Sequence, residues 1–281
     1  MRVLIVPDTH GNSRNFLSIQ KHVDSVDRIV FLGDYFDSHY PDYGFEQQRD
    51  VFLKIMNFKK SCDKPVVTLI GNHDLAYLPS YKGYTNINPH QYEYQDEIEK
   101  ILKDNIENLQ IIDVIDNWIF SHAGISNRWF ERAMRYLENL EPNTKPNILG
   151  INKLLQHHDL SLFNHCSNDP YGDDQNEGCM WIRPPSLISF GLIGYNQAVG
   201  HTTMEPDSYF YGMIGDNVIT TQKYLDKFSK PAVRFYTDRD VKYDSLDEKY
   251  VFLDTSNQSC YAIIDTQTGD VVLYTSEECK N

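Results

Sequence analysis

The chain reads as an α/β protein on a largely parallel sheet, and three observations say so. Short β-branched runs alternate with helical patterns through the first half, the mark of strand–helix–strand units. Its 281 residues are enough to bury about three quarters of the unfolded surface around a core. Hydrophobic residues make up 41% against 23% charged, too apolar for a disordered chain.

In chain order, residues 2–6 predict a strand and 14–23 a helix. Residues 28–32 predict a second strand. A helix over 45–60 follows, with Phe52, Ile55 and Met56 at helical spacing, then a strand over 65–70. Residues 91–106 carry Tyr94, Ile98, Ile101 and Leu102 on one face of an amphipathic helix. Two strands, 109–112 and 118–121, flank an Asp116-Asn117 turn, and 126–139 is helical. The tail differs: 232–237, 250–255, 260–264 and 271–274 read as consecutive strands, with a hairpin loop over 265–270. Residues 143–192 are rich in Asn, Pro, His and Gly with weak periodicity, and read as an insertion beside the site within one domain spanning 1–281.

Composition removes several function classes. Twenty-six Lys and Arg face 40 Asp and Glu, a formal charge of −14, which disfavours general binding to nucleic-acid phosphates. Five scattered cysteines show neither a disulfide framework nor a CxxC pattern. The N-terminal apolar run is too short for a signal peptide, and no stretch is long enough to span a bilayer. A soluble, cytoplasmic enzyme or binding protein, without membrane partners or general nucleic-acid binding, is the expectation.

The chemistry sits where the strands stop. Asp8-Thr9-His10-Gly11, Gly33-Asp34-Tyr35-Phe36-Asp37, Gly71-Asn72-His73-Asp74, Ser121-His122-Ala123-Gly124 and Gly200-His201-Thr202-Thr203 each follow a β-like run. Loops at the carboxyl ends of parallel strands converge on one crevice, so Asp8, His10, Asp34, Asn72, His122 and His201 are brought together despite their separation. Each motif alone is ordinary turn chemistry; five in succession point to a metal site. Two carboxylates, three imidazoles and an amide oxygen suit Mn²⁺, Fe or Zn²⁺ and suit Cu(I) badly.

DTHG, GDYFD, GNHD, SHAG and GH in this order resemble the calcineurin-like metallophosphoesterases, nearest to the bacterial and phage-type Ser/Thr protein phosphatase branch. The resemblance implies a two-sheet β-sandwich flanked by helices, with a dinuclear centre at one edge. It implies that Asp8 and His10 bind a first metal, that Asp34 bridges both ions, and that Asn72, His122 and His201 complete the second. His73 is implied as general acid and Asp37 as its orienting partner. Two divalent ions, Mn²⁺ first and Fe or Zn²⁺ as alternatives, would activate the attacking water.

Two departures from the family pattern stand out. The protein-phosphatase branch follows GDxxD with a phosphate-gripping arginine, whereas here Asp37 is followed by Ser38-His39-Tyr40. Met180-Trp181-Ile182-Arg183 resembles a W-x-R segment of the bacterial branch, which makes Arg183 a candidate substrate-binding residue. Arg14, Arg49 and Arg128 also lie near site motifs. Position 203 is Thr, not the second histidine of Gly-His-x-His, which leaves one fewer ligand for the first ion. His157, His158, His165, Cys166 and Cys179 match no zinc-finger spacing and read as loop chemistry. The basic stretch 227–230 reads as solvated, and Tyr209, Phe210 and Tyr211 as packing.

The expected function is a metal-dependent phosphoesterase acting on phosphomonoesters, protein phosphoserine and phosphothreonine among them. Cleavage of a dinucleoside polyphosphate or nucleotide diester is the alternative, since both share one displacement geometry. A non-catalytic scaffold is the reading from another class, opposed by the fact that every ligand position is filled.

Overall fold

The computed structural model describes residues 1–81, 87–156, 160–165, 174–202, 234–237, 248–254 and 260–275. Its strands are β1 Arg2–Val6, β2 Arg28–Phe31, β3 Val66–Leu69, β4 Leu109–Gln110, β5 Ile112–Ile115, β6 Trp118–Ser121, β7 Asn196–Val199, β8 Arg234–Thr237, β9 Lys249–Phe252, β10 Cys260–Asp265 and β11 Val271–Thr275. The α-helices are α1 Ser13–Ile19, α2 Phe45–Ser61, α3 Asn72–Ala76, α4 Gln95–Asp104, α5 Asn127–Leu140, α6 Asn152–Gln156 and α7 Pro184–Phe190. None is long and apolar enough to cross a membrane.

The strands form two sheets. One runs β11-β10-β1-β2-β3-β4 and the other β5-β6-β7-β9-β8. Alternation along each strand sends successive side chains to opposite faces, and here both faces of the first sheet are covered. Val3, Ile5, Val30, Leu32, Val67 and Leu69 pack toward Trp118, Phe120, Ala198 and Val251 of the second sheet. Leu4, Val6, Ile29 and Phe31 pack the other way, with Phe52, Ile55 and Met56 of α2. A strand buried on both sides must be apolar throughout, which is why Val3-Leu4-Ile5-Val6 has no polar alternation. The outer face of the second sheet is closed by Ala123, Ile182 and Leu187 against Val199, Tyr250 and Phe252.

β1, β2, β3 and β4 are mutually parallel, as are β6, β7 and β9. The two-sheet α/β architecture agrees with the expectation; several element boundaries do not. The helix expected over 14–23 ends at Ile19 and continues as a 3₁₀ turn, Gln20–Ser25, where the Ser25 hydroxyl donates to the His22 carbonyl and competes with the helical ladder. The strand expected over 109–112 breaks at Ile111: β4 belongs to the first sheet and β5 to the second. Asn152 makes the break possible. Its Oδ1 accepts from Ile111 N at 2.8 Å and Ile112 N at 3.0 Å, and its Nδ2 donates to Ile112 O at 3.0 Å, so the backbone leaves one sheet with its polar groups satisfied. The tail strands also divide, with β8 and β9 in the second sheet and β10 and β11 in the first. Helices α3, α6 and α7 were not expected.

Within 143–192, Leu154, Leu155, Phe163, Met180 and Trp181 are buried in the same cluster as the helix-facing side of the first sheet. His157, His158, Cys166, Thr203, Tyr209, Phe210, Tyr211 and the stretch 227–230 lie outside the described residues.

Candidate metal centre

Loops leaving the carboxyl ends of β1, β2, β3, β6 and β7 meet at one rim. Asp34 carries φ 49°, Asp37 64°, His10 41° and His201 62°. Left-handed backbone at a non-glycine residue costs on the order of 1 kcal/mol or more, and here it gathers on four predicted site residues. Surrounding bonds impose it: Thr9 N and His10 N both donate to Asp34 O, at 3.1 and 2.8 Å. Gly71 and Gly200 permit the closest approaches. A methyl built on Gly71 would stand 2.0 Å from Asp34 Oδ1, and one on Gly200 1.9 Å from Asp8 Oδ1.

All six predicted donors face one another. An oxygen of Asp8, an oxygen of Asp34 and a ring nitrogen of His122 lie within 4.8 Å of one another. Asp34 Oδ2 is 3.4 Å from His122 Nε2 and 3.6 Å from His10 Nε2, while Asp34 Oδ1 accepts from His73 N at 3.0 Å. One carboxylate oxygen thus faces both histidines and the other is spent on the backbone. Asn72 Oδ1 is 2.8 Å from His122 Nε2 and 2.9 Å from His201 Nδ1, and those two nitrogens are 3.2 Å apart. Asp8 Oδ2 accepts from His201 N at 2.8 Å.

Backbone carbonyls set the tautomers. His122 Nδ1 lies 3.0 Å from Leu32 O, and His10 Nδ1 2.6 Å from Phe36 O. A carbonyl only accepts, so each Nδ1 carries the proton and each Nε2 presents a bare lone pair. The bare Nε2 of His122 then confronts Asn72 Oδ1 and Asp34 Oδ2, two further acceptors. Such an arrangement repels itself unless a cation sits among the donors. Among the described residues, Asp8 Oδ1 and His201 Nε2 are buried without a hydrogen-bond partner, which fits the same need.

Charge follows. Burial pushes Asp8 well above the usual carboxylate range, with Asp254 adding to it, and pushes Asp34 up likewise, with Asp8 adding. Burial lowers His10 to about 3 and holds His122 and His201 well below the ordinary imidazole value. A divalent cation reverses this logic by stabilising anionic oxygen and bare nitrogen together.

His73 and Asp37 stand beside this cluster, with His73 Nδ1 3.1 Å from Asp37 Oδ2 and the His73 ring edge-on to His10 at 5.4 Å. Burial works to raise the Asp37 pKa, but the neighbouring His73, His90 and Tyr77 outweigh it and keep the carboxyl below its usual range. Arg183 donates from one terminal nitrogen to His201 O and Thr202 Oγ1, both at 3.1 Å, so part of its guanidinium braces the loop that carries His201. Arg49 is engaged on α2 by Glu46 and Asp50, and Arg14 and Arg128 are exposed.

The sequence model of the family described as "Calcineurin-like phosphoesterase" matches residues 1–204, a span that contains every one of these donors. The chain belongs to that family. Calcineurin-like phosphoesterases hydrolyse phosphate esters with divalent metals at a dinuclear site. A symmetrical bis(5'-nucleosyl)-tetraphosphatase of Buchnera aphidicola subsp. Schizaphis graminum (strain Sg) is 27% identical over 150 residues, covering 50% of this chain and 51% of that protein. The chain therefore spans about half the length of this curated relative. Among solved structures, a metallophosphoesterase from Sphaerobacter thermophilus covers 98% of this chain and 87% of its own, with 14% identity and a TM-score of 0.38. A candidate diadenosine tetraphosphatase covers 98% and 93%, with 15% identity and a TM-score of 0.42.

This calcineurin-like phosphoesterase also uses residues that the motif reading left without a role. Asp74 is fully buried, accepts from Tyr35 N, Phe36 N and Gly71 N at 2.8, 3.2 and 3.1 Å, and ties the loop after β2 to the one after β3. Its place three residues past Gly71, at the start of α3, is an N-terminal capping signal readable in sequence. Tyr77, His90 and Gln91 surround Asp37 with no motif to announce them. His165 and Glu177 form a buried pair at 2.5 Å, and His165 stacks on Trp181 with ring centroids 5.3 Å apart, an ordered contact where loose loop chemistry was expected.

Proposed function

We propose that the chain hydrolyses phosphomonoesters using two divalent cations. Asp8, His10 and Asp34 hold one ion, and Asp34, Asn72, His122 and His201 hold the other. Bound there, the ions supply the Lewis acidity that activates water and draws charge from the phosphoryl oxygens. His73, oriented through Nδ1 by Asp37, turns Nε2 outward to protonate the departing alkoxide. Arg183 steadies the His201 loop and is the proposed contact for substrate phosphate. Mn²⁺ is the proposed native metal, in keeping with a donor set of oxygen and imidazole without thiolate. The observation that carries this reading is the bare Nε2 of His122 set against Asn72 Oδ1 at 2.8 Å.

A second substrate reading has its own support. The 27% identical relative is a symmetrical bis(5'-nucleosyl)-tetraphosphatase, which favours a dinucleoside polyphosphate. One panel separates the two: p-nitrophenyl phosphate, its bis-ester, a phosphopeptide and a dinucleoside tetraphosphate, each with added Mn²⁺. Monoester turnover that vanishes on chelation and in Asp34→Asn supports the proposal; preference for the tetraphosphate supports the second reading. Full activity in excess chelator sinks both.

The proposal treats the chain as one domain with 143–192 as its specificity insertion, acting in the cytoplasm. The free thiols of Cys62 and Cys179 are in keeping with a reducing compartment.

A further inference from the structure

Asp37 is completely buried, and its two oxygens are treated differently. Oδ1 accepts from the Tyr77 hydroxyl at 2.5 Å and from Gln91 N and Nε2, both at 3.3 Å. Oδ2 faces two imidazoles, His73 Nδ1 at 3.1 Å and His90 Nδ1 at 3.6 Å. His73 belongs to the expected site; His90 has no role in it.

The protonation of His90 follows from its neighbours. Gln95 Nε2 donates to Tyr77 O at 3.4 Å, which turns Gln95 Oε1 toward His90 Nε2, 3.0 Å away. An amide oxygen only accepts, so His90 Nε2 carries a proton. Nδ1 then points either a lone pair or a second proton at the Asp37 carboxylate. A lone pair would be repelled by the anion, so the second proton is retained and the ring is an imidazolium. At 3.6 Å the contact is an ion pair, too long for a direct hydrogen bond. The His90 side chain is only 4% exposed, and it lies flat on Tyr77 with centroids 4.4 Å apart and meets Tyr92 edge-on at 4.5 Å. Aromatic faces favour a cation in that position. Among the described residues, the titratable groups facing the ring are Asp37 from the loop after β2, Tyr77 at the end of α3, and Tyr92; His73 is reached through Asp37. In the same direction, the Asp37 interaction raises the His90 pKa against the effect of burial.

We propose that His90 is a positioning residue, a buried imidazolium that holds Asp37 from behind so that the carboxylate stays anionic and aimed at His73. The inference rests on reading His73 as the general acid. Because Tyr77 and Gln91 grip the other oxygen, removing the His90 charge loosens the Oδ2 side without releasing Asp37. The consequence falls on the orientation of His73 and not on the metal donors.

Two measurements decide it. In Zn²⁺-loaded protein at pH 7.5, long-range proton–nitrogen NMR, with His90→Gln assigning the signals, is expected to show both His90 ring nitrogens protonated. One bare nitrogen overturns the proposal. In kinetics on p-nitrophenyl phosphate, His90→Gln and His90→Asn are each expected to lower kcat about tenfold, the loss of one buried charge facing Asp37 and of the aim it gives His73. KM and the content of two ions should stay unchanged. Unaltered kcat in both variants, or loss of metal in both, overturns it. A wild-type protein inactive on every ester counts against the functional reading, whereas a neutral His90 ring in an active enzyme counts against this inference alone.

Discussion

Gly200→Ala is a sharp perturbation because Gly200 ligates nothing. The added methyl would stand 1.9 Å from Asp8 Oδ1 and 2.9 Å from Asp8 Cγ, whereas ordinary contact begins at 3.4 Å. The carboxylate must therefore retreat by about 1.5 Å, the difference between 3.4 and 1.9 Å. It cannot swing away freely, since Asp8 Oδ2 is held by His201 N at 2.8 Å and the side chain is buried. Metal–ligand distances tolerate only about 0.2 Å, so Asp8 is lost as a productive donor or drags His201 with it. Overpacking of this kind costs about 1–3 kcal/mol, a drop of roughly 2–12 °C in Tm for a chain of this size. Affinity for the ions should fall about 10- to 100-fold. Calorimetric titration of chelated protein with Mn²⁺, together with thermal melting, measures both. Gly44→Ala is the control, because a methyl there meets nothing within 4 Å. If Gly200→Ala binds both ions as wild type does and melts at the same temperature, the placement of Asp8 against Gly200 is wrong.

His73→Asn should lower kcat by about 10²–10⁴-fold with both ions retained by elemental analysis; loss of the ions would make His73 a ligand. Arg183→Ala should raise KM for p-nitrophenyl phosphate. Unchanged KM with weaker metal binding would restrict Arg183 to bracing His201. The pH dependence of chelated protein can also be worked out. Burial raises Asp74 from 3.8 to about 7, so its contribution to stability, complete below pH 3.8, disappears as pH climbs through 7; Asp8 and Asp34 act in the same sense. The lowered histidines work oppositely, their contribution complete above 6.5 and lost as pH falls, for His10 toward 3. Above pH 6.5 the raised carboxylates and His90 still titrate, all in the same sense, so chelated protein should weaken between pH 6.5 and 8.5, by about 1 kcal/mol from Asp74, the rest of its roughly 4 kcal/mol being lost already between pH 3.8 and 6.5. Urea unfolding at the two pH values tests this, and equal midpoints would refute it.

The strands of the first sheet were readable because a strand buried on both faces is driven to be apolar, as Val3, Leu4, Ile5 and Val6 of β1 and Ile29, Val30 and Phe31 of β2 are. The six candidate donors stood out in the sequence because each follows a β-like run. The change of sheet at Ile111 was not, since residues 109–115 carry no local break; Asn152, some forty positions later, decides it. His90 escaped notice for a similar reason. What matters there is Gln95 and Tyr77 fixing its proton, and those contacts have no signature in spacing. Asp74 had a legible signal as a capping carboxylate, but nothing marked it as the tie between two site loops.

The donors do not share one layer. Asp8, His10, Asp34 and Asn72 leave strands of the first sheet, His122 and His201 leave strands of the second, and His122 reaches back to Leu32 O across the seam. On the proposed metal binding, an ion held from both sides would rivet the sandwich, adding to its cohesion whatever free energy its binding releases. Stripped of ions, the protein should part first along that rim, its amides there exchanging with solvent long before the buried middles of β1 and β2 let go.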